Sequence, residues 1–196
     1  MNKRSFLLTT ALLLTGVALQ PQSTMAAELE SVRMADTIKL TNRDLVLNGM
    51  GLRTRFGLRV YVAGLYVGKK SNDVTELLQQ PGPKRIAIAM KRNVDADTFL
   101  DALKDGIAAN HNPQQLAALK DRIGKLSELI LAIKEAKQGD LLELDFITES
   151  GTQLSINGKP MGQPIPGEDF YQALLRIWIG DKPVQDGLKA GLVGKG

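Results

Sequence analysis

The sequence predicts one α+β domain in which helices cover one face of a mostly antiparallel sheet. Strand-like segments come first, followed by two amphipathic helices, a hairpin and two more helices. The 196-residue chain shows no internal repeat and no interdomain linker, which fits one domain behind an N-terminal targeting segment.

That targeting segment has the layout of a secretory signal peptide. Lys3 and Arg4 precede an apolar stretch over residues 6–19, and small residues follow at Ala26 and Ala27. The stretch is shorter than the ~20 residues of a membrane-spanning helix, although an uncleaved anchor is the alternative. We therefore expect residues 1–26 to be removed. A periplasmic domain of residues 27–196 would remain, with no integral membrane segment.

Composition excludes several classes of site. The chain has 25 basic and 21 acidic residues, and Lys3 and Arg4 are lost with the signal, so the mature domain is near charge balance. With no basic run, it is not expected to bind nucleic acid. The absence of cysteine excludes disulfides and thiolate chemistry, and a single histidine, His111, cannot form a multi-histidine metal site. We expect no cofactor and no metal.

The first half of the domain is expected to be mainly strands. Residues 27–35 are predicted to be a loose lead-in, because they carry no clear pattern. Apolar, β-branched segments predict short strands at 37–40 and 45–47, one long strand over 55–67, and another at 86–90.

The second half is expected to be helix, hairpin, helix. Asp95 is the predicted cap of a first helix, and Asn112-Pro113 opens a second that should end at Gly139. The second helix carries an apolar stripe that predicts core: Leu116, Leu119, Ile123, Leu126, Ile130 and Ile133. A hairpin with one solvated face is predicted over 142–148 and 152–156, with a tight turn at Asn157-Gly158 and helices over 168–179 and 185–192.

The most suggestive polar residues follow a glycine pair. Gly49 and Gly51 are expected to bend the chain just before Arg53, and a strand with Tyr61 and Tyr66 comes next. The two tyrosines are an odd number of residues apart, so they should face opposite sides of the sheet. If Arg53 shares a cavity with one tyrosine, a guanidinium and a phenol could converge on a carboxylate or enolate oxygen. The alternative is a surface arginine and two packed tyrosines.

Other polar residues suggest little chemistry. Asp101 and Asp105 lie one helical turn apart and are interpreted as a solvated helix face. His111 stands beside a predicted cap and is interpreted as a surface or capping histidine.

Three segments, in this order and spacing, resemble the chalcone isomerase-like superfamily, and the exported bacterial branch most of all. They are Leu47-x-Gly49-x-Gly51-x-Arg53, the strand over 60–66, and the tail over 173–184. The resemblance covers essentially the whole mature chain. It implies an open-faced β-sandwich, a curved sheet packed by helices with a ligand cleft between them. It also implies one of two activities, flavanone ring closure or fatty-acid binding.

The resemblance assigns roles residue by residue. Arg53 falls on the arginine shared by isomerases and fatty-acid binders, and Tyr61 matches the binders where isomerases have a threonine. Phe99, Gly106 and Ile177 fall on a catalytic tyrosine, an asparagine and a second threonine of the isomerases. Most of the polar catalytic positions are therefore changed.

These arguments predict an exported, non-catalytic protein that binds a small apolar carboxylate such as a fatty acid. One alternative is an isomerase or intramolecular lyase that keeps Arg53 as its oxyanion group. Another is an interaction module for an envelope protein, with Arg53 purely structural. The sequence leaves the oligomeric state open. The predicted ligand-binding residues are Arg53, Tyr61, Arg92, Phe99 and Ile177.

Overall fold

A seven-stranded antiparallel sheet organises the fold in the computed structural model, which describes residues 26–195. The strand order across the sheet is β11-β10-β9-β6-β5-β4-β3, so most neighbours in space are also neighbours in sequence. Two short two-stranded sheets, β1-β2 and β7-β8, complete the strands. The strands are β1 Ala26–Leu29, β2 Val32–Ala35, β3 Thr37–Leu40, β4 Arg43–Arg55, β5 Leu58–Val67, β6 Lys84–Met90, β7 Val94–Asp95, β8 Glu135–Ala136, β9 Leu141–Ile147, β10 Gly151–Ile156 and β11 Lys159–Ile165.

Helices pack on one face of this curled sheet, which confirms the predicted α+β fold. Asp95 caps the second helix by accepting from the Thr98 backbone N–H at 2.8 Å, and Asn112 caps the third, as predicted. The helices are α1 Val74–Gln79, α2 Ala96–Ala109, α3 Pro113–Ile133, α4 Glu168–Ile179 and α5 Asp186–Leu192.

The two faces of the sheet bury separate apolar clusters. Tyr61 belongs to the large core under the helices and Tyr66 to a smaller core on the other face, so the two tyrosines do face opposite sides. The smaller core is covered by the β1–β2 hairpin, which contributes Met34. The prediction of a loose lead-in at 27–35 is therefore wrong. That hairpin turns at Glu30-Ser31, where both residues have positive φ and no glycine or asparagine signals the turn.

The predicted long strand over 55–67 is also wrong, because the chain reverses inside it. Strand β4 ends at Arg55, and Phe56-Gly57 form a tight turn into β5 with φ of 51° and 75°. Phenylalanine is unusual at such a position, which is why the sequence hides this turn. The Asn157-Gly158 turn, with the residues that the conformation favours, forms as predicted between β10 and β11.

The β9–β10 hairpin forms within one residue of its predicted bounds, but the prediction of one solvated face is wrong. Glu143 and Asp145 point away from the helices and are nevertheless buried. Arg85 on the adjacent strand β6 forms ion pairs with both, at 2.5 Å from Nε to the Asp145 carboxylate. Alternation of polar residues therefore marks a buried ion cluster here.

Helix α3 carries the predicted core stripe but ends earlier than expected. Leu119, Leu126 and Ile130 are buried in the large core. The helix stops at Ile133, because Lys134 adopts a φ of 66° and Glu135 then pairs in β8. Its predicted end at Gly139 is therefore wrong by six residues.

Strand β4 changes its alternation at a β-bulge. An extra residue between Leu47 and Gly49 shifts the pairing with β5. Leu47 consequently faces the smaller core, whereas Gly49 and Gly51 pair with Leu65 and Ala63 on the helix side. The bulged Asn48 donates to the Leu192 carbonyl at 2.8 Å and so binds the end of α5.

The glycine pair lets α5 lie directly on the backbone of β4. A Cβ on Gly49 would stand 2.1 Å from the Gly191 carbonyl oxygen, and one on Gly51 would stand 2.5 Å from that of Leu188. Neither glycine has positive φ, so close approach and not chain bending explains them. The expected bend is replaced by the bulge at Asn48.

Gly49→Ala should therefore destabilise the domain by several kcal/mol, because its methyl group meets rigid backbone; overpacking alone typically costs ~1–3 kcal/mol. Gly124→Ala is the matched control, since a Cβ there meets nothing within 4 Å in helix α3. The control should gain about 0.5–1 kcal/mol. Urea unfolding of both variants measures the difference, and equal stabilities would show that α5 does not depend on this contact.

Candidate functional site

A cavity of about 240 Å³ lies at the turn end of the β4–β5 hairpin, beneath helices α2 and α4. Its walls are mostly apolar, with contributions from Val60, Leu103 and Val184. All five residues predicted to bind ligand line this one cavity: Arg53, Tyr61, Arg92, Phe99 and Ile177. The structure thus brings together residues that are up to 124 positions apart in sequence.

Strand pairing places Arg53 beside Tyr61. The two residues are direct partners across β4 and β5, so their side chains leave the same face of the sheet next to each other. Gly49, Gly51 and Arg53 occupy successive positions on that face. Helix α5 lies over the two glycines, and its N-terminal end points toward Arg53. The helix does not cover Arg53, whose side chain therefore lines the cavity.

One guanidinium nitrogen of Arg53 makes the hydrogen bonds that hold its side chain. Its Nη1 donates to the Thr54 carbonyl at 3.0 Å and to the Gln185 side-chain oxygen at 3.2 Å. Gln185 precedes α5 and also accepts from the Thr54 backbone N–H at 2.9 Å. Within residues 26–195, Nε and Nη2 of Arg53 have no hydrogen-bond partner, and no carboxylate pairs with this residue. This free edge has the two-pronged geometry that binds a carboxylate.

Tyr61 is oriented by the only tryptophan of the chain. The Trp178 indole N–H donates to the Tyr61 hydroxyl oxygen at 3.0 Å, and both side chains line the cavity. Because an indole can only donate, the hydroxyl must accept, and its own proton stays available for a second partner. In the described part of the chain that proton has no acceptor.

The phenol of Tyr61 remains protonated over the whole physiological range. Burial raises its pKa to about 12, and the Trp178 hydrogen bond and the Arg53 charge only partly oppose this effect. Tyr61 can therefore act as a neutral donor beside a permanent cation.

The other three predicted residues differ in exposure. Arg92 is exposed at the cavity rim, whereas Phe99 on α2 is half-buried. Ile177 on α4 is 3% exposed and packs against Gly106, where an added Cβ would stand 2.8 Å from its Cγ2 atom. Apolar atoms therefore occupy the place where the family resemblance implies two polar catalytic side chains.

A second cavity of about 460 Å³ adjoins the first and shares Arg53, Arg55 and Val184 with it. Asp101 and Asp105 line this second cavity from an exposed face of α2. Arg53 therefore stands at the boundary between an apolar chamber and a more polar one.

His111 lies outside both cavities. Its Nδ1 is 2.8 Å from the Ile107 carbonyl oxygen at the end of α2, which is the capping position expected for it.

Sequence reasoning missed Trp178 and Gln185, which orient the two central polar groups. Trp178 falls within the predicted helix over 168–179, and only its status as the sole tryptophan sets it apart. Gln185 had no signal, because its role depends on where α5 begins over β4. Phe56 and Leu58 also line the cavity, and the hidden β4–β5 turn explains why they were missed.

The fold agrees with comparisons to known proteins. A family model described as chalcone isomerase-like matches residues 26–194, so the chain belongs to the chalcone isomerase-like family. This confirms the family resemblance predicted from the sequence, while membership of its exported bacterial branch stays a prediction.

One similar solved structure is the crystal structure of a fatty-acid binding protein from Arabidopsis thaliana. The TM-score is 0.66 at 12% sequence identity, with 86% of this chain and 96% of that chain covered. At this identity the likeness establishes a shared fold. No curated relative matches the sequence. None of the helices in residues 26–195 is long and apolar enough to span a bilayer.

The tyrosines provide a test of the buried site. Burial raises the pKa of Tyr61 and of Tyr66 to about 12, and that of Tyr171 well above its usual value. A raised native pKa favours the protonated phenol, so stability should hold below pH ~10 and fall as the pH approaches 12. Ultraviolet titration of tyrosinate should show little ionisation near pH 10 in the folded protein and about half ionisation there in denaturant, where the tyrosine pKa is ~10. Ionisation of all three tyrosines near pH 10 while the fold persists would contradict this burial.

Proposed function

We propose that this protein binds a small apolar carboxylate, such as a fatty acid, and does not transform it. One observation carries the proposal. Arg53 presents a free guanidinium edge, next to a Tyr61 hydroxyl with a free proton, at the wall of a mostly apolar cavity.

The electrostatic argument concerns the unpaired cation. A partly buried charge is unfavourable unless a counter-charge or hydrogen-bond acceptors compensate it. A ligand carboxylate would compensate Arg53 by accepting two parallel N–H hydrogen bonds, and it would also accept a hydrogen bond from the Tyr61 hydroxyl. Its apolar tail would replace water in the cavity, which is favourable in proportion to the apolar area covered.

The size of the site limits the ligand. The first cavity, about 240 Å³, is slightly smaller than the ~300–1,000 Å³ typical of small-molecule sites. The adjoining chamber of about 460 Å³ brings the combined space into that range. A carboxylate at Arg53 would stand where the two chambers meet, with its chain in the apolar one.

Two further points support binding without catalysis. The similar Arabidopsis protein is described as a fatty-acid binding protein. In addition, Phe99, Gly106 and Ile177 offer no hydroxyl or amide side chain to position a ketone for ring closure. Stereoselective flavanone formation by the purified protein would instead favour the isomerase alternative.

Titration calorimetry with decanoate and decanol tests the carboxylate site. Arg53→Ala should weaken decanoate binding by roughly ten- to a hundredfold, because it removes charge-assisted hydrogen bonds. Tyr61→Phe should weaken it by about tenfold or less. Decanol, which has no charge, should bind both the wild type and Arg53→Ala about equally. Trp178 fluorescence gives an independent signal, since its indole lines the cavity.

Two controls separate binding from folding. Arg43→Ala removes an exposed arginine at the other end of β4 and should leave decanoate affinity unchanged. Arg53→Gln keeps an amide donor for Thr54 but lacks the charge, so it should bind as weakly as Arg53→Ala at a near-native melting temperature. If the wild type binds neither ligand, or if Arg53→Gln binds decanoate normally, the carboxylate site is wrong and an interaction module becomes the better account.

We also propose that the domain acts in the periplasm after signal removal. The predicted signal lies almost wholly outside the described residues, and the proposal is supported by its charged start, apolar stretch and small residues in the sequence. Mature protein recovered from the periplasm should start at Ala27 or one residue later, as read by N-terminal sequencing. Recovery of a chain with an intact Met1 from the membrane fraction would contradict export.

A further inference from the structure

The turn between strands β4 and β5 exposes apolar side chains at the mouth of the cavity. Phe56 is 90% exposed and Leu58 is 51% exposed, and both line the first cavity. Among residues 26–195, the only other large hydrophobic side chain that is exposed is Leu131, on helix α3. We call residues 55–59 the β4–β5 tip.

The conformation of this tip is unfavourable for the residue that it presents. Phe56 and Gly57 have φ of 51° and 75°, and Asn157 and Gly158 in the β10–β11 turn have φ of 51° and 74°. Asparagine is favoured at the first position of such a turn, whereas a bulky residue in the left-handed region is strained. The chain therefore uses the favoured residue in one turn and an exposed, strained phenylalanine in the other.

Arginines surround the exposed ring. The Arg55 guanidinium lies 5.3 Å from the centroid of the Phe56 ring, and Arg53 and Arg92 line the same cavity. Arg59 pairs with Glu30 at 3.1 Å, and the Asp95 carboxylate is engaged by Thr98. Among the described residues that line this cavity, Asp95 is the one acidic side chain against three arginines, so the cavity mouth carries a net positive charge.

We propose that the β4–β5 tip docks on an anionic phospholipid bilayer. Phe56 and Leu58 would enter the boundary between headgroups and acyl chains, while Arg55 and Arg92 bind lipid phosphates. A single aromatic side chain with one leucine is too small for a stable protein interface, which buries ~800 Å² per partner. An exposed apolar tip with arginines beside it is instead complementary to a negatively charged lipid surface.

The proposal goes beyond ligand binding and does not depend on it, because docking needs no occupant in the cavity. If both hold, the cavity mouth would face the bilayer, since Phe56 and Leu58 belong to its wall.

Vesicle co-sedimentation with the ligand-free mature domain tests the proposal. The domain should bind vesicles of phosphatidylglycerol mixed with phosphatidylcholine and should not bind vesicles of phosphatidylcholine alone. Phe56→Asn should weaken binding roughly tenfold or more, because the inserted ring is lost. The same change should raise the melting temperature, since it restores the favoured turn residue. Leu131→Asn, the matched change at an exposed leucine elsewhere, should bind like wild type.

Charge is tested separately. Arg55→Gln and Arg92→Gln should each weaken binding to the anionic vesicles by about fivefold, and added salt should weaken it further. Equal binding of Phe56→Asn and wild type, or no binding by wild type, would overturn the proposal. So would concentration-dependent self-association that Phe56→Asn abolishes, which would make a second copy the occupant. The vesicle experiment tests membrane docking and decanoate calorimetry tests carboxylate binding, so either proposal can be refuted without the other.

Discussion

The contact between helix α5 and strand β4 determines the geometry of the candidate site. The bulge at Asn48 turns Gly49, Gly51 and Arg53 toward the helices, and the absence of a Cβ on the glycines lets α5 lie against the strand backbone. That position brings Gln185, just before α5, onto Arg53 at 3.2 Å. The glycine pair and the arginine thus act as one structural unit. Gly49 and Gly51 make room for α5, and Arg53 lies just beyond the N-terminal end of that helix.

The second element of the site is the pairing of Arg53 with Tyr61. Direct partnership across β4 and β5 puts both side chains at one cavity wall, and a one-residue slip would turn one of them to the other core. Trp178 on α4 then fixes which way the phenol can donate. Charge, neutral donor and apolar wall are therefore supplied by separate elements of the same fold, while the contact of Ile177 with Gly106 keeps the remaining wall apolar.

The sequence predicted the parts of this structure that have local signals. The caps at Asp95 and Asn112, the stripe through Leu126 and the Asn157-Gly158 turn each depend on neighbouring residues, and each forms as expected. The β1–β2 and β4–β5 turns were missed, because their left-handed positions hold Glu30, Ser31 and Phe56. The family resemblance pointed to five residues that share a cavity, but Trp178, Gln185 and the β4–β5 tip emerge only from long-range packing.

The central claim is that a ligand carboxylate pairs with Arg53 inside the cavity. Nuclear magnetic resonance of a fatty acid labelled at the carboxyl carbon measures this most directly, through the pH dependence of the bound signal. A cation at the wall lowers the pKa of a carboxyl group, whereas burial alone raises it. The account predicts that the bound carboxyl stays ionised to a lower pH than the free acid and that Arg53→Gln removes this difference. If the carboxyl group bound to the wild type has a pKa equal to or above that of the free acid, the account is contradicted.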